Sequence, residues 1–163
     1  MTEGILQHIH LDGIEDYSNA LDTLCKLAAR RLYLFEKDFD GLGFNSPSRY
    51  ETLRHFLLAN PANSLLVLAH DTHYLSTRCA RMTMLLSQFS DRMFIHQTDR
   101  QLSHITAPFC VADNTHYIRR FHFDDPRGLL AQNDPDNARN LESKFMEMWA
   151  HSHSAISTSK LGL

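Results

Sequence analysis

Pro108-Phe-Cys-Val-Ala-Asp113, continued by Asn114-Thr-His-Tyr-Ile-Arg-Arg120, decides how this chain is read. The apolar residues from Phe109 to Ala112 predict a short buried strand that ends in a carboxylate. Asp113-Asn114 is turn chemistry, because short Asx side chains accept nearby backbone N–H groups and tolerate left-handed conformations. Tyr117 to Phe123 returns as a second strand, so the two form a β-hairpin.

Upstream, Ser64-Leu-Leu-Val-Leu-Ala69 is a continuous apolar run, the mark of a strand buried on both faces of a parallel sheet. Arg31-Leu-Tyr-Leu-Phe-Glu36 and Met93-Phe-Ile-His96 predict two more strands. Helices are expected over Tyr17 to Arg30 with Ser18 as N-cap, from Ser46-Pro47 to Asn60-Pro61, and over Leu75 to Phe89 as one piece. Lys37 to Ser46 and Thr98 to Thr106 read as loops. So does Asp124 to Asp136, which holds two prolines, a glycine and four aspartates. Asn137 to Trp149 is the last helix. Residues 1–16 are expected to be an arm and 151–163 a tail, around a single domain with its core at about 17–150. The expected class is α/β: a mixed, mostly parallel sheet flanked by helices on both faces, with a late hairpin and a C-terminal helix.

The 163 residues carry a net charge of −3, which excludes a global field that attracts nucleic acid or an anionic membrane. No charged stretch precedes an apolar one at the N-terminus, and no apolar run can span a bilayer, so a cytoplasmic location without membrane partners is expected. Cys25, Cys79 and Cys110 lack paired or zinc-ligand spacing and read as reduced core thiols. No cofactor is indicated.

The order of strands and helices, closed by the hairpin, resembles one half of the phospholipase D superfamily fold from about Tyr17 to Trp149. Members carry H-x-K-x4-D on this hairpin: the histidine attacks phosphorus, the lysine holds the phosphate and the aspartate supports the site. A Gly-Ser and an Asn usually follow. With Asp113 as anchor, Thr106 takes the place of the histidine and Pro108 that of the lysine. Arg120, Phe121 and Phe123 take the Gly, Ser and Asn places. Threonine and proline supply neither nucleophile nor cation. The resemblance therefore implies a catalytically silent module, more a binder of a partner or a small anion than an enzyme. Because family catalysis joins two halves, it also implies a homodimer. The chain is similar as well to uncharacterised bacterial proteins of this fold, which stand alone or follow an acetyltransferase domain. The shared stretches are Leu66-Val-Leu-Ala-His-Asp71, Phe109-x-Val-Ala-Asp113 and Phe145-x-x-x-Trp149. Two other readings stay open. One is a divergent phosphodiesterase or nuclease using His104, His70 or His116 with Asp113 and an arginine. The other is a regulatory scaffold for an acetyltransferase or RNA-related enzyme.

Ligands of such sheets bind at the C-terminal ends of the parallel strands. That rim is expected to hold Lys37-Asp38, His70-Asp71 and His96, with Asp113 as a further candidate. Asp113 either serves a site or simply starts its turn. His70, Asp71 and His73 can hold a metal, or Asp71 and Thr72 can cap the next helix. His8, His10, His151 and His153 make a four-histidine metal site if the termini meet. Arg119, Arg120 and Arg127 are the anion-binding candidates, with ion pairs to Asp124 and Asp125 as the alternative.

Overall fold

The computed structural model describes residues 4–156. In chain order it contains β1 (Gln7–Leu11), α1 (Ile14–Leu27), β2 (Arg31–Glu36), α2 (Pro47–Ala59), β3 (Ser64–Ala69), α3 (His73–Thr77), α4 (Ala80–Gln88) and β4 (Met93–Thr98). A 3-10 turn (Arg100–Leu102) precedes β5 (Phe109–Ala112), β6 (His116–His122), β7 (Asp125–Gln132), α5 (Pro135–Trp149) and β8 (Ser152–Ser154). All strands join one sheet in the order β1-β7-β6-β5-β2-β3-β4-β8. Strands β2, β3 and β4 run parallel, and every other pairing is antiparallel.

Strand periodicity divides the core in two. Leu32, Leu34, Leu65, Val67, Cys110, Ala112 and Ile118 pack against α1, α2 and α4. Tyr33, Phe35, Leu68, Phe109 and Val111 point the other way, onto Phe145 and Met148 of α5. Helices thus cover both faces, as an apolar run in a central strand requires.

Ser46 caps α2, its Oγ accepting the Arg49 N–H at 3.1 Å, with Pro47 in the first turn. The cap of α1 is Gly13, not Ser18. Ser18 lies inside the helix and donates to the Leu42 carbonyl at 3.3 Å. The single helix expected over Leu75 to Phe89 is two. Ser76 and Thr77 hydroxyls both turn back to the His73 carbonyl (3.0 and 2.7 Å), and Cys79 leaves helical geometry. Hydroxyls that bond the preceding turn compete with helix propagation.

Three strands lie where none was expected. β7 falls in the supposed loop Asp124 to Asp136, and β1 in the supposed arm. The start of the supposed tail forms β8, on the opposite edge of the sheet. Residues 1–3 of the arm and 157–163 of the tail lie outside the described residues. Proline and glycine disguised β7. Pro126 is its second residue, near a register shift between Arg120 and His122 on β6. Gly128 is there for clearance: a Cβ would overlap the Arg119 backbone carbonyl. A glycine inside a strand marks such a close approach.

Gly128→Ala is therefore expected to destabilise the protein by about 2–4 kcal/mol, read as a lowered urea midpoint with unchanged m-value.

Candidate functional site

The parallel strands end at Glu36, Ala69 and Thr98. Because β5 runs against β2, the hairpin's open end reaches this same rim, with Phe109 beside Phe35. The Phe123 N–H donates to the Thr106 carbonyl at 2.8 Å, and the Arg120 N–H to the Pro108 carbonyl at 3.1 Å. The positions that carry the family chemistry in the resemblance thus lie side by side across two chain segments.

What fills that place is an ion pair. Glu36 is 1% exposed. Arg120 Nη2 donates to its Oε1 at 2.7 Å, and the Tyr17 hydroxyl donates to its Oε2 at 2.5 Å. Arg120 Nη1 also donates to the Phe123 carbonyl at 3.1 Å, and the guanidinium stands 4.6 Å over the Tyr17 ring. A cavity of about 450 Å³ opens beside the pair, walled by Lys37, Asp38, Asp40, Leu42, Phe123 and Asp124. Burial pushes the Glu36 carboxyl up to about 7, although Arg120 and the Tyr17 hydrogen bond pull it down. Burial works against the Arg120 charge, and Glu36 and Tyr17 more than restore it. Burial raises the Tyr17 hydroxyl well above its ordinary range.

His70 lies on the same rim, with both ring nitrogens engaged. A carbonyl only accepts, so Nε2 donates to Ile105 O at 2.7 Å, and Nδ1 is hydrogen-bonded to Thr98 Oγ1 at 2.5 Å. Its ring meets Phe35 and Phe123 edge-on at 5.2 and 5.5 Å. His104 is exposed on the loop before β5, and His96 stacks on Trp149 at 3.9 Å.

Asp113 is not on this rim. It sits at the other end of β5, by the start of β2, five residue steps or about 17 Å from Glu36. Its carboxylate accepts the N–H groups of Ala29, Arg30 and Arg31 at 2.8, 2.8 and 2.9 Å. Asp113 and Asn114 have φ of 58° and 56°, the left-handed pair that a tight hairpin turn needs. His116 shares this far rim, accepting the Asn133 N–H at 3.1 Å.

The metal candidates do not gather either. Asp71 accepts the His73 N–H at 2.8 Å in an Asx turn ahead of α3, and Thr72, at the N-cap, makes no side-chain capping bond. Among the described residues no group of three His, Cys, Asp or Glu side chains is placed to hold a metal. β1 and β8 are opposite edges of the sheet, so His8 and His10 cannot meet His151 and His153 within one chain. His8 bonds Asp134 at 3.0 Å, and His153 bonds Asp99 at 3.2 Å. The three arginines also diverge. Arg120 is spent on Glu36, and Arg127 is held by Asp125 at 2.8 Å. Arg119 is exposed on the α5 face. All three cysteines are free and buried, and burial pushes the Cys25 thiol up to about 12.

Sequence reasoning passed over Glu36, although it carries the same signal as Asp113: a carboxylate ending an apolar strand. Tyr17 gave no such signal, because helical spacing places it without naming its partner.

Two outcomes follow. Asp113→Ala removes the acceptor of three backbone N–H groups and is expected to cost about 2–3 kcal/mol in urea denaturation. Below about 7 the folded chain keeps a proton on Glu36 that the unfolded chain releases near 4.5, and above about 7 Glu36 is the carboxylate that pairs with Arg120. The proton's contribution to stability is full below 4.5 and is lost as pH rises through about 7. Compared with Glu36→Gln, the native chain is expected to lose on the order of 2–3 kcal/mol between pH 5 and 8 in parallel denaturation curves.

Solved structures share this architecture. Nuc of Salmonella typhimurium, a phospholipase D family member, aligns with a TM-score of 0.67 at 9% identity over 94% of this chain and 99% of its own. NucT of Helicobacter pylori aligns at 0.59 and 8% identity, over 93% of this chain and 100% of its own. TrmBL2, an archaeal chromatin protein whose structure shows a novel mode of DNA binding, aligns at 0.67 and 11% identity over 95% of this chain. The chain spans 55% of TrmBL2's length. At these identities the likeness establishes the phospholipase D-like fold. No curated protein matches the chain in sequence. Residues 13–161 match the family model described as "Domain of unknown function (DUF7931)", and the chain belongs to that family.

Proposed function

We propose that this protein is a catalytically silent, single-domain module of phospholipase D-like fold that acts by binding a small anion or a protein partner. The observation that carries the reading is the Glu36–Arg120–Tyr17 network beside Pro108. Phosphoryl transfer at this rim needs an unblocked imidazole and a cation free to hold the phosphate. Arg120, the cation next to Pro108, is already neutralised by a carboxylate 2.7 Å away. His70, the imidazole beside Thr106, has no free ring nitrogen to attack with. Thr106 and Pro108 replace the reactive groups themselves.

The reading extends to assembly. The family site is built from two halves, and Nuc, of nearly the same length, matches this chain end to end. A homodimer is the corresponding arrangement here, and light scattering is expected to give the mass of two chains.

The decisive measurement is turnover of bis-p-nitrophenyl phosphate, with and without divalent metal. The expected result is no turnover above buffer for the native chain, His70→Ala or His104→Ala. Turnover in the native chain that either substitution abolishes would overturn the silent reading in favour of a divergent phosphodiesterase.

A further inference from the structure

The two faces of β6 treat their arginines differently. Ile118 and Arg120 point toward α1, where Arg120 is buried. Arg119 points the opposite way, in register between Phe109 of β5 and Leu129 of β7. Above it α5 places Leu141 and, almost one turn on, Lys144. Lys144 Nζ stands 5.6 Å over the Phe109 ring. Between sheet and helix lies a cavity of about 270 Å³ with Pro108, Phe109, Phe121 and Leu141 as its apolar walls and Arg119 and Lys144 as its cations.

Six of the fifteen described lysines and arginines sit in ion pairs. Arg31 faces Glu142, Arg54 faces Glu51, Arg92 faces Asp91 and Arg127 faces Asp125. Arg119 and Lys144 have no carboxylate within ion-pair distance among the described residues, and they line one cavity together. Arg120 also borders this cavity, while its side chain is directed to the α1 face. Converging like charges are relieved by a bound anion, and a guanidinium fork beside an ammonium suits an oxyanion. Phe121 adds the second requirement. It is 61% exposed at the mouth, an aromatic face left in water. Such a face stacks on a planar or apolar group.

We propose that this cavity binds a small organic oxyanion, a phosphate or carboxylate carried on a single aromatic ring. Arg119 and Lys144 hold the head and Phe121 the ring. The site rests on the binding role assigned above and places it on the α5 face of the sheet, opposite the face on which Arg120 meets Glu36. It replaces Arg127 by Lys144 among the anion-binding residues. The volume lies at the low end for ligand pockets, which limits the body to about one ring.

Phenyl phosphate, benzoate and inorganic phosphate are titrated into the full chain and followed by amide NMR shifts. Saturable binding of phenyl phosphate is expected, weakened about tenfold by Arg119→Ala and by Lys144→Ala. Phe121→Ser should weaken phenyl phosphate and benzoate while leaving inorganic phosphate within about twofold. The relative strength of the two aromatic probes assigns the head group. Arg119, Lys144 and Phe121 are exposed, so these changes leave the core intact; Arg127→Ala serves as the control for diffuse charge. The proposal is overturned by an absence of saturable binding. Binding that the Arg119 and Lys144 changes leave within about twofold, or that Arg127→Ala weakens equally, overturns it as well. Neither result bears on catalytic silence, which the turnover measurement decides alone.

Discussion

The carboxylate of Asp113 holds three consecutive backbone N–H groups, those of Ala29, Arg30 and Arg31, and so ties the β5–β6 turn to the entry of β2. Charge-assisted bonds to backbone N–H groups are among the stronger polar contacts in a protein. Here they are made where the chain reverses direction. After three parallel strands, β5 enters the sheet antiparallel to β2 and β6 follows antiparallel to β5. Once the turn is held at the N-terminal end of β2, the open end of the hairpin has to lie at the C-terminal rim. Thr106, Pro108, Arg120 and Phe123 reach Glu36 for that reason.

The rim then settles its own electrostatics. A buried carboxylate loses hydration worth several kcal/mol, and only a well-placed partner offsets it. Arg120 supplies that partner and Tyr17 of α1 supplies a hydrogen bond, so helix, β2 and β6 meet at one group. Removing either end of the pair would strand the other in a low-dielectric setting. The arrangement binds three elements together, and it uses up the cation in doing so. The free positive charge of the hairpin lies instead on the opposite face, at Arg119.

The central elements were legible because continuous apolar runs and helical spacing report burial directly. β2, β3, the hairpin, α2 and its Ser46 cap all follow from local pattern. β7 was not, since Pro126 and Gly128 break the strand signal while the tertiary approach of β6 is what requires the glycine. β1 and β8 were not, since an edge strand is exposed along most of its length and shows no alternation. The break between α3 and α4 depends on two hydroxyls turning back on His73, a choice that apolar spacing does not record. In the candidate site, Arg120 and His70 were visible as residue types, but their saturation by Glu36, Thr98 and Ile105 was not.

The sequence by itself determined which segments are buried, where the tight turn at Asp113 falls, and that threonine and proline stand at positions 106 and 108. Local periodicity and side-chain chemistry carry that information within a few residues. Only the tertiary structure decided that β5 runs against β2. That direction sends Asp113 to the far rim, pairs Arg120 with a glutamate 84 residues away, and puts Arg119 in one cavity with Lys144. Strand direction is set by contacts between residues remote in sequence, and no local pattern encodes which of them will meet.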